Sequence, residues 1–161
     1  MMKKHIGIVA LGNISEDTGG RNYLINFTKA LAQSDTQHTF TIFLSPHQKH
    51  LIERFLSENI TVVEVPVGDK NSVAKVISEQ VIAPAVLARQ KLDVAYFPGN
   101  FLSLFSGVPS VVAIRSMLYY HYPYAVDKTR LWVRKTLTPL SARKARAIIT
   151  PSEDIKRDVV N

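Results

Sequence analysis

Apolar residues along the chain come in short β-branched runs, and between the runs they recur every third or fourth position. The first run, His5 to Leu11, is closed by Gly12 and Asn13 and predicts a buried parallel strand followed by a loop. That loop delivers Asp17-Thr18-Gly19-Gly20 into a segment where Tyr23, Leu24, Phe27, Ala30 and Leu31 lie at helical spacing, so a helix is predicted from about Gly20 to Gln33. The alternation then repeats: a strand Thr39 to Leu44, a helix Pro46 to Ser57, and a strand Ile60 to Val65 ended by Pro66. A polar turn, Gly68-Asp69-Lys70-Asn71-Ser72, opens a further helix, which Pro84 is expected to kink or divide. Strands follow at Leu92 to Phe97, before Pro98-Gly99-Asn100, and at Ser110 to Ile114, after Gly107-Val108-Pro109. After Asp127 comes a basic helical stretch expected to break at Pro139, then a short strand Ala147 to Thr150 and a helix capped by Ser152. Strands alternating with helices through short connections predict an α/β chain, an open, doubly wound, mostly parallel sheet with helices on both faces.

At 161 residues and 46% apolar, the chain is near the usual size of one domain and can bury a core without disulfides or a structural metal. One domain over residues 1–161 is the expectation. Cysteine is absent, and the run Ile6 to Leu11 is too short for a secretory or membrane-spanning segment, which points to a reducing cytoplasmic setting. The formal charge of +7 is unevenly spread: residues 1–126 hold 11 basic and 9 acidic side chains, and residues 127–161 hold 9 and 4. Such a basic C-terminal fifth suits a phosphate-bearing partner, and charge alone does not choose among nucleotide diphosphates, lipid surfaces and nucleic acid.

In an open parallel sheet, ligands collect beyond the carboxyl ends of the strands, which directs attention to three loops. Gly19-Gly20 opens a helix, where backbone amides not covered by side chains can meet a phosphate or a sugar hydroxyl; the same glycines would also serve a tight turn. The dinucleotide fingerprint G-x-G-x-x-G and the P-loop lysine motif are both missing. Arg115-Ser116-Met117 leaves the second of the later strands, so Arg115 is placed to meet an anion, or else to pair with a carboxylate. Pro98-Gly99-Asn100-Phe101 leaves the strand before it, and the Asn100 amide offers a donor and an acceptor to a sugar hydroxyl. His121, among tyrosines, is a candidate base or sugar partner.

The stretch holding Lys128, Arg130, Arg134, Lys135, Arg143, Lys144 and Arg146 has no acidic residue between Asp127 and Glu153, and it carries Leu131, Trp132, Val133 and Leu137. It reads either as a solvated helix face or as a basic helix that rests on an anionic membrane surface, with Lys128, Arg130, Arg134 and Lys135 as the contact patch. No nucleic-acid-binding motif accompanies it, and nucleic acid is not expected as a partner. His47 and His50 stand three apart without an acidic or Cys partner, a poor basis for a metal site, and no G-x-S-x-G elbow is present.

Three segments carry a resemblance to a known family: Gly19-Gly20-Arg21-Asn22-Tyr23-Leu24 through Ala30-Leu31; Asp93-Val94-Ala95-Tyr96 with Pro109-Ser110-Val111-Val112; and Ala145-Arg146-Ala147-Ile148-Ile149-Thr150-Pro151-Ser152-Glu153, followed by Lys156 and Asp158. Together they resemble the N-terminal, acceptor-side domain of glycosyltransferase family 4. The resemblance implies one Rossmann-like half of a GT-B fold, in which two domains close over a cleft and transfer a sugar from a nucleotide-sugar donor with retention, usually without a metal and without a cofactor. It places Gly19 and Gly20 near the donor's phosphates and sugar, joined by Arg115. Many members carry His-Asp where this chain has Arg115-Ser116, and an Arg-Asn-Met variant is approached by Arg115-Ser116-Met117. Asn100, His121 and Arg21 become candidates for contact with a glycan or lipid-linked acceptor. The family's donor-binding Arg and Lys and its paired glutamates belong to a second, C-terminal domain that these 161 residues do not include, so the chain alone is expected to be inactive. A polysaccharide-building enzyme, cytoplasmic and peripheral on the inner face of a membrane, is the expected setting. The competing reading is a non-enzymatic α/β module that uses its basic C-terminal face for nucleic acid or another anionic partner.

Overall fold

The computed structural model describes residues 2–11, 19–66 and 72–160. The expected loop residues Gly12, Asn13, Asp17 and Thr18 and the turn residues Gly68, Asp69, Lys70 and Asn71 lie outside the described residues. Six strands are formed, β1 (His5–Val9), β2 (Thr39–Leu44), β3 (Ile60–Glu64), β4 (Val94–Phe97), β5 (Ser110–Ala113) and β6 (Ala147–Ile149). They make one sheet in the order β3-β2-β1-β4-β5-β6, and every neighbouring pair is parallel. The helices are α1 (Gly19–Gln33), α2 (Ser72–Ala88), α3 (Leu118–His121), α4 (Lys128–Lys144) and α5 (Glu153–Val160).

Strand side chains alternate between the two faces of a sheet, and the core divides accordingly. Ile8, Ala10, Ile42 and Leu44 pack on one face with Leu24 of α1 and with Leu51 and Ile52. Val9, Leu11, Phe43, Ala95, Phe97 and Val112 pack on the other with Ala83 and Leu87 of α2, and Leu131, Ala142, Ile155 and Val159 of α4 and α5 join them. Both faces are therefore covered, which makes this a doubly wound α/β sheet, parallel throughout. Gly7 of β1 is closely packed: a Cβ there would stand 2.5 Å from Leu92 Cδ1 and 3.2 Å from the Phe43 ring, so a larger residue requires the Leu92 side chain to shift. At the amino edge, Asp93 joins the starts of β1 and β4: its carboxylate accepts from His5 N–H at 2.8 Å and from Lys4 Nζ at 2.9 Å.

Two expectations about proline and one about a helix are corrected. Pro84 neither divides α2 nor ends it; Ala83 and Leu87, each 1% exposed, anchor the helix to the core on both sides of the missing N–H. Pro139 likewise lies inside a continuous α4, flanked by the buried Thr138 and Ser141. The segment from Pro46 to Ser57 forms two short 3-10 helices, Pro46–Leu51 and Glu53–Phe55. Buried Gln48 and Leu51 are three residues apart, the spacing that eclipses in a 3-10 turn, and the Ser45 N–H donates to Gln48 Oε1 at 3.3 Å. Ser152 does cap α5, accepting from Ile155 N–H at 3.3 Å.

Candidate functional site

The strand order reverses between β1 and β4, and at such a switch point the loops leaving neighbouring strands part to form a crevice at their carboxyl ends. A pocket of about 400 Å³ lies here, lined by Gly19, Gly20, Gly99, Asn100, Phe101, Arg115, Ser116 and Arg134. Its wall is built by the N-terminus of α1 and by the segments following β4 and β5, with α4 closing one side. Gly19 and Gly20 form the first turn of α1, where backbone N–H groups lack helical acceptors. A Cβ at Gly19 would meet nothing within 4 Å, so packing among the described residues does not demand glycine there.

Arg115 is half-buried against an aromatic stack. Its guanidinium lies 4.6 Å from the Tyr23 ring centroid; Tyr23 stacks on Phe27 at 5.5 Å, and Phe27 meets Tyr96 at 5.6 Å. The Tyr23 and Tyr96 hydroxyls are hydrogen-bonded at 2.6 Å. Burial pushes the Tyr96 hydroxyl well above the ordinary tyrosine range and the bond to Tyr23 pushes it further, while the Arg115 charge acts weakly the other way. Tyr96 is thus a neutral support behind Arg115. The Arg115 Nε is buried and has no hydrogen-bond partner among the described residues, and none of their carboxylates forms an ion pair with the guanidinium.

Asn100 fixes where Arg115 begins. Its backbone adopts φ 67°, its Oδ1 accepts from Arg115 N–H at 2.9 Å, and its Nδ2 donates to the Ser116 carbonyl at 2.7 Å. One donor and one acceptor position of the amide are therefore committed to the loop after β5, leaving one of each for a ligand. The segment around it is clamped from both flanking helices. Gln80 of α2 donates from Nε2 to the Leu102 carbonyl at 3.1 Å and accepts at Oε1 from Leu104 N–H at 2.8 Å. Ser141 of α4, fully buried, accepts from Leu102 N–H at 3.0 Å.

Of the residues expected at the site, Gly19, Gly20, Asn100 and Arg115 come together in this pocket. Arg21 and His121 are not among the described residues that line it. His121, at the end of α3, instead bonds Asp158 of α5 at 2.8 Å, joining those two helices. Arg134, assigned from sequence to the outer basic patch, belongs to the pocket wall and lies 5.7 Å from the ring of the buried Tyr119. The signal for it was present in the spacing: Arg134, Thr138 and Ser141 share one flank of α4, and the latter two are buried. Arg130 also leaves the patch in part, since it pairs at 3.2 Å with Asp127, whose carboxylate caps α4 at the Arg130 N–H. Among the described residues, no group of three or more His, Asp or Glu is placed to share a metal ion, and no helix is long and apolar enough to cross a membrane.

A Gly-Gly helix start beside an arginine at the switch point of a doubly wound sheet is the arrangement implied by the resemblance. The family model described as Glycosyltransferase Family 4 matches residues 18–161. The chain belongs to glycosyltransferase family 4. No curated protein matches it. Membership makes this family 4 domain part of the glycosyl-transfer machinery, with sugar-containing substrates, and gives the α/β sheet and its carboxyl-edge pocket their chemical context.

Proposed function

We propose that the chain is the acceptor-side half of a retaining GT-B glycosyltransferase, which passes a sugar from a nucleotide-sugar to a glycan or lipid-linked acceptor. The observation that carries this reading is the convergence of the Gly19-Gly20 amides with Arg115 and Arg134 on one pocket, with no carboxylate among the described residues that line it. Sugar transfer from a nucleotide diphosphate builds negative charge on the departing phosphate, and preorganised cations and amide dipoles stabilise it. In this pocket the helix start and Arg115 receive the phosphate and the adjoining sugar, and Asn100 has one donor and one acceptor left for a hydroxyl of either substrate. The pocket is open on one side, while glycosyl transfer requires exclusion of water. A second Rossmann-like domain that closes over it and carries the remaining donor contacts supplies that exclusion, and the chain alone turns over no donor.

The test begins with binding. Titration of the 161-residue chain with inorganic pyrophosphate, followed by amide chemical shifts, should move Gly19, Gly20, Arg115 and Ser116, and Arg115→Ala should weaken affinity at least about tenfold, as expected for a charge-assisted contact of ~1.5–3 kcal/mol. Shifts confined to Lys128–Arg146 and indifferent to Arg115→Ala would sink this reading in favour of an anion-binding module.

A further inference from the structure

The Gly19-Gly20 amides and Arg115 reach the pocket from different elements, the start of α1 and the segment after β5. One residue, Tyr23, belongs to the first and supports the second. Tyr23 follows Gly20 by three positions and Gly19 by four, so it shares their face of α1, and helical side chains lean back over the preceding turn. Its ring centroid lies 4.6 Å from the Arg115 guanidinium, and its hydroxyl is hydrogen-bonded to that of Tyr96, on the interior strand β4, at 2.6 Å. Phe27, one turn further along α1, packs on both tyrosine rings, with centroids 5.5 and 5.6 Å away. Tyr23 is thereby held at its ring and at its hydroxyl, between the helix and the sheet. Arg115 is held at its other end by Asn100, whose Oδ1 accepts from the Arg115 N–H at 2.9 Å.

We propose that Tyr23 is the positioning residue of this pocket: its ring seats the Arg115 guanidinium, and its bond to Tyr96 keeps the ring, and so the arginine, at a set bearing to the Gly19-Gly20 amides. The proposal rests on the transfer reading, since the site being held is the one assigned there to the donor phosphate. An aromatic seat differs from a carboxylate partner in what it leaves free. A carboxylate takes in-plane N–H donors and offsets the charge, whereas a ring takes only a face of the guanidinium and leaves the donors along its edge for a phosphate. Among the described residues no carboxylate pairs with Arg115, and its buried Nε has no hydrogen-bond partner. An arginine fixed at its backbone and at its head has already lost the rotamer freedom that a solvated one gives up on binding, so the ligand does not have to order it. The two hydroxyls satisfy each other, which ties the far end of the Tyr23 ring to β4 and stops it tilting beneath the charge.

The 161-residue chain is followed by NMR of its arginine side chains and titrated with inorganic pyrophosphate. In the parent, the Arg115 Nε–H resonance should be displaced by the Tyr23 ring current relative to that of the exposed Arg143, and Tyr23→Leu should abolish the displacement. Tyr23→Leu should also weaken pyrophosphate binding about tenfold, as loss of a partly desolvated cation–π contact predicts, while Tyr23→Trp, which keeps a ring face, restores most of the affinity. Added to Arg115→Ala it should weaken binding no further, because the two changes disable one unit. Tyr23→Phe and Tyr96→Phe each strand one hydroxyl and should lower thermal stability; together they remove both hydroxyls and should recover it. The double variant should nonetheless bind pyrophosphate about threefold more weakly than the parent, because the ring remains and its tether does not. An Arg115 resonance indifferent to Tyr23→Leu overturns the proposal, and so does an affinity that merely follows stability across the series. A parent that does not bind pyrophosphate overturns the phosphate reading and the proposal with it. A parent that binds, with a Tyr23→Leu variant that binds as tightly, overturns the role of Tyr23 alone.

Discussion

Asn100 holds a backbone conformation, φ 67°, that an L-residue with a Cβ adopts at a penalty and that Asn tolerates better than most. Its amide then joins the segment after β4 to the segment after β5, at Arg115 N–H and the Ser116 carbonyl. Asn100→Ala removes both bonds and keeps a Cβ in the left-handed region, so urea unfolding should show a loss of about 2 kcal/mol, roughly half from strain and half from the bonds. Asn100→Gly removes the bonds without the strain and should lose only about 1 kcal/mol. Both variants should weaken pyrophosphate binding, since Arg115 is no longer fixed at its N–H; a variant that unfolds like the parent and binds pyrophosphate equally well would remove Asn100 from the site's support. Asp93 acts at the opposite edge of the sheet. The His5 N–H and then Lys4 hold its carboxyl below the usual carboxylate range. A carboxylate with a depressed folded-state pKa contributes stability above its unfolded pKa and loses it as pH falls through the folded value. Asp93→Asn should therefore be less stable than the parent at neutral pH, with the gap closing in acid below the ordinary carboxylate range; a gap that stays constant with pH would show that the Asp93 charge plays no part.

Among the elements, α2 makes the strongest demand on packing. Proline in a helix interior is about 3 kcal/mol less favourable than alanine, yet α2 passes through Pro84 because Ala83 and Leu87 are buried on either side. Pro84→Ala should raise stability by about 1–2 kcal/mol in chemical denaturation, less than the full propensity difference because the helix has already adapted to the ring. A loss of stability instead would mean that the ring fills space the core needs. The same element shows what the amino-acid order could reveal. All six strands and the helices α1, α2, α4 and α5 were legible because short β-branched apolar runs and period-3.6 patterns are local, and both recur here in alternation. Continuity through Pro84 and Pro139 was not legible, because local propensity opposes it and only contacts with distant strands override it. The pocket was half legible. Gly19-Gly20, Asn100 and Arg115 stand at strand ends that any doubly wound sheet gathers on one edge, whereas the inward turn of Arg134 and the clamps from Gln80 and Ser141 depend on how α2 and α4 pack against the segment after β4.

At the scale of the molecule, stability and chemistry are unevenly distributed across the sheet. β1, β2, β4 and β5 are each bonded to neighbours on both sides, and Ile42, Ala95 and Val112 are wholly buried; these strands, apart from β2, also lead into the pocket. β6 is a three-residue edge strand bonded only to β5, with Ile148 and Ile149 exposed to solvent. The basic excess lies in this same C-terminal region, residues 127–161, where like charges repel one another and make closure of β6 less favourable. Local opening follows bonding and burial, so the two regions should separate in native-state hydrogen exchange. Amides of Ile8, Ile42 and Ala95 should exchange only through global unfolding, with a denaturant dependence as steep as that of the whole chain. Amides of Ile148 and Ile149 should exchange through a smaller opening with a shallow dependence, and salt should slow them by screening the repulsion. Equal protection across β6 and β1 would mean that α5, through Ile155 and Val159, binds the edge into the core as tightly as the central strands bind each other. The predicted gradient would keep the edge holding Gly19, Gly20 and Arg115 rigid while the basic flank opens, which suits a pocket that must hold its geometry beside a surface that adapts to a partner.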